Sequence, residues 1–153
     1  MKHPFSPLRI CVLLFLGLSL LAMRPSEEPV IPISWETLTD ISYEYIQNFE
    51  QNFWYGQATF GEKVKALDGE IVEIQGYILQ VDLEGNSYYL SAYPFSSCFF
   101  CGGAGQESVM ELRLKHAKQK FKQDDLVKLR GRLRLNDREL ELNYILEEVE
   151  RVE

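Results

Sequence analysis

The chain has 153 residues, of which 46% are apolar, 25% charged and 12% aromatic, the proportions of a globular protein and not of a disordered, collagenous or coiled-coil chain. That length allows one core and excludes a multidomain enzyme. Beyond residue 23 lie all 23 Asp and Glu but only 14 of the 16 Lys and Arg. An acidic surface of this kind repels phosphate backbones and anionic membranes, so no nucleic-acid partner is expected.

In chain order, the first signal is at the N-terminus. Lys2, His3 and Arg9 precede Ile10 to Met23, a run without a charge, and Arg24-Pro25 closes it. This charged-then-apolar layout is that of an export signal. As a helix the run would reach roughly 21 Å, short of the roughly 30 Å hydrocarbon core, which disfavours a permanent span. Residues 1–23 are therefore expected to be a signal peptide cleaved near Ala22, and the protein to be exported to the periplasm or cell envelope. Membrane attachment would come only from an uncleaved signal. Cys11 opens the apolar run instead of ending it, so it does not mark a lipidation site.

Residues 24–34 carry Pro25, Pro29 and Pro32 and are expected to form an extended tether, because proline fixes φ and removes donors needed by a helix or a central strand. From Trp35 to Phe60 the chain is crowded with aromatics. Ile41-Tyr43-Tyr45 fits strand alternation and Tyr45-Phe49-Phe53 fits helical steps, and the periodicity leaves both open. The stretch is expected to pack over one end of the domain that follows; a ligand groove is the alternative.

After Leu67-Asp68-Gly69 the pattern becomes all-β. Val72, Ile74, Gly76 and Ile78 alternate with polar residues, and Glu84-Gly85-Asn86 supplies a turn into Ser87 to Tyr93. Val109 to Leu114 forms a third strand, Ala117 to Asp125 a polar connection, and Leu126 to Leu135 and Leu140 to Val149 a last hairpin. Five strands, the first long and broken by a glycine, predict an OB-like five-stranded barrel over about 64–153 within a single domain spanning 35–153. Lys128, Arg130, Arg132 and Arg134 share one strand face. A two-residue turn at Asp137-Arg138 would set Arg134 opposite Glu141 and Lys128 opposite Glu147, neutralising a stripe that would otherwise suggest oligonucleotide binding.

Chemistry concentrates between the second and third strands, in Ser96-Ser97-Cys98-Phe99-Phe100-Cys101-Gly102-Gly103-Ala104-Gly105. Cys98 and Cys101 form a Cys-x-x-Cys pair which, in an oxidising compartment, has three fates: a soft-metal site, a closed disulfide, or thiol–disulfide exchange. The glycines lack the Lys and Ser/Thr of a phosphate loop, and Gly102 stands where haem attachment requires histidine. No base, orienting acid or carboxylate pair accompanies the thiols, so no enzymatic activity is expected. Thiol exchange is further weakened because a glycine turn and a strand follow the pair, not a helix. Zn²⁺ wants four ligands, for which Glu107, His116 or the same loop of a second protomer are candidates. Cu⁺ favours thiolates and tolerates fewer ligands. The bland readings of Glu107 and His116 are solvated residues at the two ends of the third strand.

Ala66-Leu67-Asp68-Gly69 running into Gln75-Gly76-Tyr77-Ile78, then Leu90-Ser91-Ala92-Tyr93-Pro94-Phe95, the cysteine-glycine loop, and Leu142-Asn143-Tyr144-Ile145-Leu146 together resemble an uncharacterised family of small exported bacterial proteins of Bacteroidetes type, over roughly Trp35 to Glu153. Related branches carry Cys-x-His and a proline run at this loop, and some lie beside metal importers. The resemblance thus implies soft-metal handling in the envelope, with a metal-transport system as partner. Gln106 stands where the family has proline, and the signal lacks the lipid-accepting cysteine that many relatives carry.

Overall fold

The computed structural model describes residues 28–50, 52–81, 87–116, 119–138 and 141–152. The expected signal peptide and the Glu84-Gly85-Asn86 turn lie outside these residues. Five strands form the barrel: β4 (Ile71–Leu79), β5 (Tyr88–Ser91), β6 (Val109–Leu114), β7 (Leu126–Leu135) and β8 (Tyr144–Arg151). They bond in the order β4-β5-β6-β8-β7, and β7 returns to β4 to close the ring. β6 and β8 run parallel and the other barrel pairs antiparallel, so the OB-like barrel is present as the alternation predicts.

Period-two patterning drives closure. On β7, Val127, Leu129 and Leu133 are buried and Lys128, Arg130 and Arg132 are not, and on β4 Val72, Ile74 and Ile78 turn inward. Inside they meet Leu90, Met110, Leu112, Leu146 and Val149 in one cluster. Sealing these apolar side chains from water is the main term favouring the fold, worth about 1.5–3 kcal/mol for each large side chain.

Gly76 is required by close approach. A Cβ there would lie 2.6 Å from the Ser91 carbonyl and 3.1 Å from the Trp35 ring, so the mid-strand glycine lets the first barrel strand pass close to β5 and receive the aromatic lid.

The segment before the barrel adds β1 (Val30–Pro32), α1 (Trp35–Leu38), β2 (Ile41–Asn48), β3 (Phe53–Phe60) and α2 (Glu62–Lys65). β1 corrects the expected tether. It pairs parallel with Ile71–Glu73 of β4, Ile33 N–H donates to the Glu73 carbonyl at 2.9 Å, and Arg132 reaches Glu28 at 2.7 Å. Proline excludes a central strand but not a short edge strand, where a missing donor goes unused.

Between Ile41 and Phe60 alternation wins over the helical steps: β2 and β3 form an antiparallel hairpin, turned through Asn48, whose Oδ1 accepts the Glu50 N–H at 3.1 Å, and Asn52 at φ 54°. Its base packs on the barrel core through Ile41 and Phe60, with Phe60 6.0 Å from the Tyr144 ring. α1 contributes fully buried Leu38, whose carbonyl accepts the Tyr144 hydroxyl at 2.7 Å, and the Trp35 indole donates to the Gln75 carbonyl at 2.8 Å. This is the expected packing onto the barrel. Tyr45, Phe49 and Trp54, by contrast, remain 72%, 83% and 63% exposed toward the hairpin tip.

The register of the last hairpin differs from expectation. Arg134 lies opposite Ile145 and Arg132 opposite Glu147, because the strands are joined not by a turn at Asp137-Arg138 but by a wider loop pinned at its neck. There Asn136 N–H donates to the Asn143 carbonyl at 2.9 Å, and the Asn143 amide donates back at 3.0 Å. The basic stripe is still paired: Lys128 and Arg130 with Glu73, Arg132 with Glu28, Arg134 with Glu147.

Two outcomes follow. Gly76→Ala should lower unfolding stability by about 1–3 kcal/mol, read as a reduced urea midpoint. Glu73, its side chain 14% exposed, has its carboxyl pKa held below the usual value chiefly by the Arg130 hydrogen bond. Its contribution is therefore complete at neutral pH and is lost as pH falls through the lowered pKa. The stability gap between the protein and Glu73→Gln should be widest near neutrality and close in acid.

Candidate functional site

The cysteine loop connects β5 to β6 through three single turns of 3₁₀ helix at Phe95–Ser97, Phe99–Cys101 and Gln106–Ser108. The backbone is tied at each turn. Ser97 N–H donates to the Pro94 carbonyl at 3.0 Å, while the Cys98 carbonyl accepts from both Cys101 N–H at 3.2 Å and Gly103 N–H at 3.1 Å. Gly102, at φ 73°, takes the left-handed conformation that lets the chain double back behind Cys101. Asp124 anchors the near end by accepting the Phe95 N–H at 2.7 Å.

This framework sets the two thiols side by side but in different surroundings. Cys98 is completely buried, Cys101 is exposed, and neither is in a disulfide. Desolvation, then the hydrogen bond that the Cys101 thiol donates to Cys98 and the negative charge of a Cys98 thiolate, raise the Cys101 pKa above the ordinary thiol value. Cys101 is thus a weaker nucleophile at neutral pH than a thiol activated for exchange, which needs a lowered pKa.

Glu107 and His116 do not join the pair. Among the described residues no three His, Cys, Asp or Glu side chains gather around a common point. Glu107 sits in the turn before β6 with its negative charge acting on Tyr43 and Tyr144, whose hydroxyl pKa values are raised first by burial and further by that carboxylate. His116 is exposed beyond the far end of β6, beside the Lys115–Glu150 ion pair. β6 advances about 3.3 Å per residue, so His116 stands at the opposite end of that strand from the cysteine loop. Among the described residues, neither Glu107 nor His116 stands in a three-donor cluster with the two thiols.

Between the cysteines the structure places a feature that the spacing alone did not flag. Phe99 and Phe100 meet edge to face at 5.5 Å, and Phe100 meets Tyr89 of β5 edge to face at 5.1 Å. The available signal was two consecutive aromatics inside a glycine-rich surface loop, where burial alone does not call for them.

No family model matches the chain, and neither a curated protein nor a solved structure matches it.

The unequal burial of the thiols is directly measurable. Iodoacetamide should alkylate Cys101 in the folded protein and reach Cys98 only after denaturation, with the Cys101 rate still climbing above the pH at which a free thiol levels off. Peptide mapping by mass spectrometry reads both.

Proposed function

We propose that the protein is a non-enzymatic binding module of the bacterial envelope whose Cys98 and Cys101 thiolates hold a soft cation, Cu⁺, in low-coordination geometry. The observation that carries this reading is the pair of adjacent, unbridged thiols on a loop fixed by its own backbone hydrogen bonds, one of them open to solvent. An exposed sulfur gives a cation a way in and out. A buried one gives the bound ion shelter from water.

Cu⁺ suits this donor set better than Zn²⁺, because soft thiolates select it and it does not require a completed tetrahedron. Zn²⁺ would need two further ligands from outside the loop, and a second copy would supply them only by dimerising around the metal. The raised Cys101 pKa argues against exchange chemistry and is compatible with binding, since a bound cation displaces the thiol proton. Resemblance to the exported family with Cys-x-His branches supports the same chemistry, because a soft-metal site tolerates a Cys/His exchange and a disulfide does not.

In an oxidising envelope, metal and disulfide are competing fates of one pair. Native mass spectrometry of protein purified without reductant, then supplied with Cu⁺ and a soluble competitor, should give a single Cu⁺ per chain that is lost in both Cys98→Ser and Cys101→Ser. Retention of Zn²⁺ only in a dimer would replace Cu⁺ with the shared tetrahedron. A mass deficit of two hydrogens that is restored by reduction, with no metal taken up before or after, would leave a structural disulfide and overturn metal binding.

A further inference from the structure

The rings of the cysteine loop form one wall of a separate site. Beside them lies an open groove of about 480 Å³, bounded by Tyr89, Phe99 and Phe100 on one side and by Tyr55 of the β2–β3 hairpin on another. Its volume falls within the range of about 300–1,000 Å³ typical of small-molecule sites. From this groove we infer that the protein binds a neutral oligosaccharide segment, with Tyr89 and Phe100 as stacking platforms and the carboxylate, amide and guanidinium groups of the rim as partners for hydroxyls.

Three observations choose this ligand class. First, the wall is aromatic and half exposed: Phe100 is 40% accessible. An aromatic ring presents a negative face, which attracts the weakly positive C–H groups on the flat side of a pyranose.

Second, the polar lining consists of planar, two-pronged groups. Glu111 lies directly across from Tyr89 on the outer face of β5 and β6, and Gln106, Arg138 and Glu141 complete the rim. Carboxylate, amide and guanidinium groups each present paired donors or acceptors in one plane, a spacing that matches vicinal hydroxyls. The rim is pre-ordered, with Gln106 Nε2 donating to the Glu141 carbonyl at 3.0 Å and Glu111 holding Arg113 at 2.9 Å. Preordered side chains lose less freedom when a ligand arrives.

Third, the charges exclude the main competitors. One arginine stands against two glutamates in the lining, which disfavours a phosphate-rich strand. An extended peptide cannot join β5 or β6 as an added strand, because β5 already pairs with β4 and β6, and β6 with β5 and β8.

This inference is independent of the metal, since neither sulfur lines the groove. Protein-observed NMR of the folded chain titrated with cellobiose, chitobiose and maltose tests it. At least one disaccharide should give saturable shifts at Tyr89, Phe99 and Phe100. Phe100→Ala should weaken that binding about tenfold or more, whereas Tyr93→Ala, an exposed ring outside this groove, should leave it unchanged. The inference is overturned if none of the three sugars shifts these residues. It is equally overturned if binding survives Phe100→Ala and Tyr55→Ala, or if an aromatic-rich peptide saturates the groove while the sugars do not.

Discussion

Hydrogen bonding between β4 and β7 runs from Ile71 opposite Arg132 to Tyr77 opposite Leu126, and this seam turns a sheet into a barrel. Without it both strands would present an unpaired edge and the inward side chains would face water. With it, the inward side chains of the strands meet in one cluster, to which the β5–β6 and β7–β8 connections contribute no member among the described residues. The β5–β6 connection is then free to hold thiols and exposed rings, and the β7–β8 connection can hold Arg138 and Glu141 at the rim of a groove. Charge supports the same seam from outside, since Glu73 on β4 receives both Lys128 and Arg130 of β7.

The N-terminal segment completes what five short strands leave open. Leu38 and Val64 are wholly buried and belong to the same cluster as the barrel residues, so the segment shares the core rather than forming a second one. Tyr144 joins the two parts twice, through its hydroxyl on the Leu38 carbonyl and its ring against Phe60. Tyr43 adds a third tie, donating to Asn143 Oδ1 at 3.1 Å. Asn143 is also the neck of the β7–β8 loop, so the hairpin, that loop and the groove between them are held by one small polar network.

The barrel was legible because inward and outward residues alternate with few exceptions in β4, β6 and β7, and a half-buried strand leaves no other imprint. The hairpin was ambiguous for a physical reason: Tyr45 and Phe53 sit on facing strands with Phe49 in the turn, so a cross-strand neighbourhood imitates helical spacing. Prolines forbid interior strands and so point to a tether over residues 24–34, whereas the edge position that β1 takes imposes no such limit. The register differs because the loop is pinned at a neck of two asparagines, Asn136 and Asn143, instead of turning at Asp137-Arg138. At the site, the thiols were visible as a motif. Their unequal burial depends on tertiary packing, and so does the separation of His116 from them. The role of Phe99 and Phe100 was hidden because, inside Cys-x-x-Cys, they occupy the positions normally read as spacer.

β1 has a bearing on assembly. It covers only Ile71–Glu73, while β5 takes the same side of β4 at Tyr77–Leu79, so each closes a part of that edge the other cannot reach. Three residues in parallel pairing, one ion pair, a single added backbone bond and the packing of Ile31 and Ile33 on the core hold β1 there. A molecule that lost this strand would display a short docking slot, and a neighbour's equivalent segment would fit it in the same register.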